Sequence, residues 1–231
     1  MPEDWDSAVA VVAHPDDLEY GAAAAVARWT RQGKKVSYLL ATRGEAGIAG
    51  RAPHEVGPLR AEEERRSAAI VGVSEVQFLD HRDGLVEYGI ALRRDLAAAF
   101  RRLRPNVVIT MSFDLTWGEE GPVNHADHRA VGLAVLDACR DAANEWVFPD
   151  AGVPCPPIGS AYVAASGDPT HFVDVTDTID LGIASLREHQ AYIDGLGGDF
   201  DPDDFLRNMA GYIGMAAGCE YAVGLRRYAT G

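Results

Sequence analysis

The sequence predicts an α/β fold, a single Rossmann-like three-layer domain with a mostly parallel sheet, and two observations carry that expectation. A short continuous apolar run at 8–13 lacks the in-and-out alternation of a half-exposed strand and reads as a central strand buried on both faces, and further strand-like runs follow, 106–111 among them. These runs alternate along the chain with segments of helical periodicity, the pattern of a parallel sheet covered by helices on both sides. No internal repeat or linker-like stretch breaks the 231 residues, so one domain is expected over 1–231.

Taken in order, the first apolar run stops at His14-Pro15, and residues 18–32 have helical spacing with alanine filling. They close at Gly33, the residue type that ends helices. Residues 36–42 read as a second strand. Residues 58–71 begin at a proline and carry their glutamates early, a helix polarised as the macrodipole favours. A short strand at 76–79, a helix at 90–104, the strand after Pro105 and a helix from 124 or 125 to 144 follow. A proline-rich loop at 148–157 precedes strands near 161–164 and 171–175. Thr176-Asp177 opens a helix reaching 193, and a last helix at 202–218 leads to a terminal segment at 221–228. The stretch 113–124 is the most loop-like interruption of the first half, and long loops tend to carry function.

Charge excludes partners. With 21 Lys+Arg against 35 Asp+Glu the net charge is −14, which disfavours nucleic acid and anionic lipid, since both require a cationic surface. The acidic start, Met1 to Asp6, does not resemble a signal peptide, and no apolar run approaches the roughly 20 residues of a membrane span. A cytoplasmic protein with no membrane partner is therefore expected. Cys139, Cys155 and Cys219 are odd in number and far apart, so they read as small hydrophobes rather than a disulfide framework or thiolate site.

The chemistry concentrates where ligands sit in such sheets, at the carboxyl ends of the strands. No Gly-x-Gly-x-x-Gly or P-loop follows the first strand; His14-Pro15-Asp16-Asp17 stands there instead. A second cluster, His125-Ala126-Asp127-His128, falls at a helix start, with its two histidines three apart and so on one face. Imidazole and carboxylate donors suit zinc, and three protein ligands with an open position define its catalytic sites. His14, Asp17 and His128 make such a set, with Asp16 and His125 beside it. The remaining histidines, His54, His81, His171 and His189, lack carboxylates at ligand spacing and read as structural.

These motifs resemble the LmbE-like, or PIG-L, family of metal-dependent de-N-acetylases. Ala13 to Asp17 matches the family's Ala-His-Pro-Asp-Asp, and His125 to His128 matches His-Pro-Asp-His with Ala126 in place of proline. Thr42 to Gly47, the Arg60 to Glu63 helix segment and Arg82-Asp83-Gly84 match further motifs in order, so the likeness runs over residues 8–135. It thins beyond about residue 146, and His189-Gln190-Ala191-Tyr192 only partly matches the family's His-x-Ser-Gln.

The resemblance implies a zinc ion, or ferrous iron, on His14, Asp17 and His128. It implies Asp16 as general base, His125 as stabiliser of the oxyanion, and Asp127 as the group that orients His125. Arg60, Asp83 and Glu45 are the positions implied to meet the substrate. The expected reaction is removal of an acyl group, acetyl above all, from a small N-acylated amino sugar or glycoside. An amidase of a thiol conjugate or antibiotic glycoside is the nearest alternative, and a metal-dependent phosphoesterase is the alternative from another class. A non-catalytic binding protein is disfavoured, because binding alone has no use for an uncoordinated base. Assembly as a homo-oligomer stays open, and specificity is expected in the 43–57 and 113–124 loops and in the divergent segment 146–231.

Overall fold

The computed structural model describes residues 1–118, 120–197 and 200–231. Five strands, β1 (Ser7–Val12), β2 (Lys35–Leu40), β3 (Glu75–Phe78), β4 (Val107–Met111) and β5 (Ser160–Ala164), run parallel in the spatial order β3-β2-β1-β4-β5. β6 (His171–Asp174) and β7 (Ala222–Ala229) extend the sheet, with β7 antiparallel to both β5 and β6. The terminal segment is thus a strand inserted between two earlier ones.

Alternation along β1 divides the core. Ala8, Ala10 and Val12 face one apolar cluster, which also holds Trp29, Ile183 and Leu206, while Val9 and Val11 face another with Leu96, Phe100 and Val135. The first face is covered by α2 (Ala23–Arg31), α6 (Ile179–Arg187) and α8 (Pro202–Ala217), the second by α4 (Ile90–Leu103) and α5 (Ala126–Ala143). Alanines make the first face possible. A Cβ at Gly182 on α6 would lie 2.9 Å from Ala24 Cβ on α2, so the two helices meet with almost no side chain between them.

Three boundaries differ from expectation. The 18–32 segment divides into α1 (Asp17–Gly21) and α2, because Ala22 leaves the helical region at φ −137°. The 58–71 helix begins earlier, as α3 (Pro53–Ile70): Pro53 occupies the first turn, and Pro58 lies inside the helix. The helix expected to reach 193 breaks at Glu188-His189 into α6 and α7 (Gln190–Leu196).

The strand order reverses at β1, whose neighbours β2 and β4 lead the chain away in opposite directions. Crevices for ligands form at the carboxyl ends of the strands at such a point. The loop after β1 and the start of α5, after β4, both open there.

Candidate metal centre and active site

The turn after β1 is built around one carboxylate. Asp17 Oδ2 accepts the backbone N–H groups of Ala13 (3.0 Å) and His14 (2.9 Å), which folds His14-Pro15-Asp16-Asp17 back on itself. Asp17 Oδ1 remains free and lies 3.0 Å from His128 Nε2. Burial would raise the Asp17 carboxyl, but the neighbouring His128 and His14 rings outweigh it and hold the group well below the usual carboxylate range.

Each imidazole is oriented by its outer nitrogen. His14 Nε2 faces Asp127 Oδ2 and Asp83 Oδ1, both at 3.0 Å, so it carries the proton. His128 Nδ1 lies 2.9 Å from Asn124 Oδ1, whose amide nitrogen donates to the Ser112 and Asp114 carbonyls and so fixes which end faces the ring. The proton of His128 is therefore on Nδ1. The inner nitrogens, His14 Nδ1 and His128 Nε2, face each other across 3.2 Å, with the Asp17 carboxylate alongside.

Burial disfavours a charged His14 ring, but its hydrogen bonds to Asp127, Asp17 and Asp83 raise it well above the ordinary imidazole value, so the site attracts positive charge, as a proton or as a metal ion. The charge count agrees: Asp17, Asp83 and Asp127 meet the His14 and His128 rings, and Asp16 meets the Arg60 guanidinium. This nitrogen and oxygen donor set, with outer hydrogen bonds to carboxylate and amide, fits a divalent ion such as zinc. His14, Asp17 and His128 form one of the groups able to hold a metal among the described residues.

Asp16 adopts φ 88°, a left-handed conformation rare for a side-chain-bearing residue. Its Oδ2 is buried 3.2 Å from Arg60 Nη2, and the residue lines the cleft, which leaves Oδ1 as the oxygen able to take a proton. Burial pushes the carboxyl up to about 7, with the Arg60 guanidinium opposing and the Asp17 carboxylate reinforcing. His125 caps α5: its Nδ1 accepts the Asp127 backbone N–H at 3.2 Å, so Nε2 carries the proton and faces outward as a donor. Burial and the nearby His14 lower its pKa, keeping the ring neutral. Helix α5 starts with this cap although Ala126 replaces the proline of the motif.

The structure places four further expected residues as follows. The Asp127 carboxylate, fully buried, accepts from Gly84 N (2.7 Å), Val86 N (3.1 Å) and His14, so it orients His14 rather than His125. Asp83 also serves His14, and its other oxygen accepts from Ala46 N at 2.8 Å; it does line the cleft. Glu45 is absent from the cleft lining and instead joins two loops, accepting from Asp83 N (2.9 Å) and Arg43 N (3.2 Å). Arg60 lines the cleft but is only 2% exposed, donating to the Pro15 and Gly44 carbonyls at 2.6 and 2.9 Å. Gly44 has φ 62°, and any Cβ there would strike the guanidinium, which accounts for glycine in this loop. Asn124 was not singled out from the sequence; its place directly before His125 is the one signal that could have marked it.

The cleft above these groups has a volume of about 840 Å³. Its floor is polar, but its far wall is apolar and comes from the C-terminal third: Tyr192, Phe205, Met209 and Ile213, with Trp117 from the 113–124 loop opposite. Trp117 meets the His128 ring edge-on at 5.9 Å. Position 119 of that loop lies outside the described residues. His81 pairs with Asp95 at 3.0 Å, and neither residue is among those lining the cleft.

Known proteins are similar to this chain in sequence and fold. The chain is 30% identical to the diacetylchitobiose deacetylase of Thermococcus kodakarensis, over 92% of this chain and 79% of that one. It is 30% identical to a 1D-myo-inositol 2-acetamido-2-deoxy-alpha-D-glucopyranoside deacetylase of Kineococcus radiotolerans, over 79% and 68%. The solved N,N'-diacetylchitobiose deacetylase of Pyrococcus horikoshii shares the fold at TM-score 0.88 with 24% identity, covering 99% of this chain and 85% of that chain. Among the described residues no helix is long and apolar enough to cross a membrane. With residues 9–139, which hold both histidine motifs, matching the model of the GlcNAc-PI de-N-acetylase family, PIG-L, the chain belongs to that family.

Proposed function

We propose that this protein is a zinc-dependent deacetylase that removes the acetyl group from an N-acetylated amino sugar or glycoside. The observation that carries the reading is the convergence of His14 Nδ1, Asp17 and His128 Nε2 beside an uncoordinated, buried carboxylate, Asp16, at the floor of a cleft. Relatives that act on acetamido sugars support it.

His14, Asp17 and His128 would hold the ion, which when bound would supply a Lewis acid able to acidify water and polarise the amide carbonyl. Asp16 takes the proton of the attacking water as its oxygen adds to the carbonyl carbon. Held by the Arg60 guanidinium and with burial raising its proton affinity, Asp16 can then pass that proton to the departing amine. The outward Nε2–H of His125 donates to the carbonyl oxygen as negative charge develops there. Neutrality suits this role, because donation and not proton release is required. Asp127 and Asp83 keep the His14 proton on Nε2 and its lone pair inward.

The apolar far wall favours a substrate whose acetamido sugar carries an apolar or aromatic substituent over the free amino sugar. Phosphoester hydrolysis fits less well, since Arg60, the sole arginine or lysine lining the cleft among the described residues, is engaged by carbonyls and Asp16. The test is release of free amine from aryl and alkyl N-acetylglucosaminides, run against p-nitrophenyl phosphate hydrolysis. Amine release is expected; phosphate release without amine overturns the assignment.

A further inference from the structure

Beneath the cleft lies a second polar cluster that the proposed reaction does not use. Glu19 of α1, Glu64 of α3 and His189, in the break between α6 and α7, are each at most 2% exposed. His189 Nε2 lies 3.6 Å from Glu19 Oε2 and 3.7 Å from Glu64 Oε2. Glu19 Oε1 is anchored by the Ser67 hydroxyl at 2.6 Å, and Ser67 and Ser185 oxygens meet at 2.7 Å, so α1, α3 and α6 are tied together around it. Burying two carboxylates is unfavourable unless they are compensated, and His189 is the basic group in contact with both. Burial and the Glu19 carboxylate push Glu64 well up, while the surrounding carboxylates outweigh burial at His189 and raise it to about 9.

This cluster has one outlet toward the chemistry. Glu64 Oε2 accepts the backbone N–H of Asp16 at 3.2 Å. Asp16 sits at φ 88°, and its amide in that conformation is received by Glu64. Arg60, one helical turn earlier on α3, contacts the Asp16 carboxylate and the Pro15 carbonyl. Thus one face of α3 grips the same residue at its amide, its side chain and the carbonyl before it.

We propose that Glu64, backed by His189 and Glu19, is a positioning residue for the general base: it holds Asp16 in its left-handed conformation and so aims the carboxylate at the reacting carbonyl. The proposal rests on the deacetylase reading for its kinetic consequence, but not for its structural one. It also gives the C-terminal third a part in catalysis, through His189, beyond lining the cleft.

The decisive pair of variants is Glu64→Leu, which removes the acceptor, and Glu64→Gln, which keeps an acceptor oxygen in the same place. Glu64→Leu is expected to lose about 100-fold in kcat with little change in KM, at wild-type metal content, as expected for a base displaced by about 1 Å. Glu64→Gln is expected to recover most of that loss. A purely structural role would lower the melting temperature of Glu64→Leu and leave kcat per metal-loaded molecule unchanged, and that result overturns the proposal. So does a Glu64→Gln variant as slow as Glu64→Leu. Should Glu64→Leu fail to fold, His189→Asn takes its place, with a smaller kcat loss expected at unchanged KM; unchanged kcat there overturns the proposal. If the wild-type protein releases no amine, the deacetylase reading fails, and a crystal structure of the Glu64 or His189 variant then decides: Asp16 leaving positive φ supports the positioning role, and Asp16 retaining it overturns the role.

Discussion

The floor and the far wall of the cleft are made in opposite ways. On the floor, at the ends of β1 and β4, directional bonds are dense: the Asp127 carboxylate accepts three hydrogen bonds, the Asn124 side chain participates in four, and Asp17 braces the turn that carries it. The wall on α7 and α8 presents Tyr192, Phe205, Met209 and Ile213 with little directional bonding. Directional bonds hold atoms to fractions of an ångström, as a metal centre and a general base demand. Apolar contact tolerates exchange of one side chain for another of like volume. On the proposed reading the chemistry lies within residues 9–139, which match the family model, and substrate choice falls to the apolar wall beyond them.

The sharpest way to break this division is at the floor. His14→Ala removes one of three converging donors and leaves Asp127 and Asp83 without their shared N–H; loss of bound metal and of all measurable amide hydrolysis is expected, read by elemental analysis of the purified protein. Metal retained at wild-type stoichiometry would remove His14 from the ligand set. Next in size, Asp16→Ala should keep the metal but lower turnover by about 10²–10⁴-fold, the range for a general base. Near-normal activity in that variant would mean that another group takes the proton.

One step further out, Asn124→Leu leaves all three ligands in place but frees the His128 ring. A fall of about 10–100-fold in metal affinity is expected, measured by competition with a chelator. At the wall, Phe205→Ala should lower kcat/KM for an aryl N-acetylglucosaminide by a factor worth about 1–3 kcal/mol and leave free N-acetylglucosamine nearly unaffected. Equal losses on both substrates would place the wall in the general architecture rather than in selection.

The smallest change serves as a control away from both regions. Glu3 accepts from Arg28, Trp29 and Gln32. Burial alone would raise its carboxyl, but these bonds, Arg28 foremost, bring it below its ordinary 4.5. A lowered pKa means that the stabilisation is complete above about 4.5 and disappears as pH falls through the folded value. Glu3→Gln should therefore cost at most about 1 kcal/mol in thermal unfolding at pH 7 and nothing at strongly acid pH. Activity per folded molecule should not change.

Legibility in the sequence followed the same division. The buried strand ends and the ligand types were readable because a continuous apolar run followed by His-Pro-Asp-Asp leaves few structural alternatives. What could not be read was which carboxylate serves which imidazole. Asp127 lies two residues from His125 in sequence, yet its side chain turns to His14 across the sheet, because the 82–86 loop supplies the two N–H donors that fix it. Asn124 looked like the end of a loop, and its role exists only once Ser112 and Asp114 lie beside it. The helix break at His189 escaped periodicity for a similar reason, since its partners Glu19 and Glu64 come from distant parts of the chain.

The placement of β7 between β5 and β6 has a bearing on synthesis. β6 pairs with β7 and with no other strand in the sheet order. During translation it leaves the ribosome with no sheet edge to join until residues 222–229 have followed it. The parallel half, with both histidine motifs, can assemble while the chain is still growing, whereas α8 packs on β6 and β7 as well as on α6 and completes its seat once β7 has paired. A nascent chain would therefore carry both histidine motifs before the apolar wall of the cleft is finished.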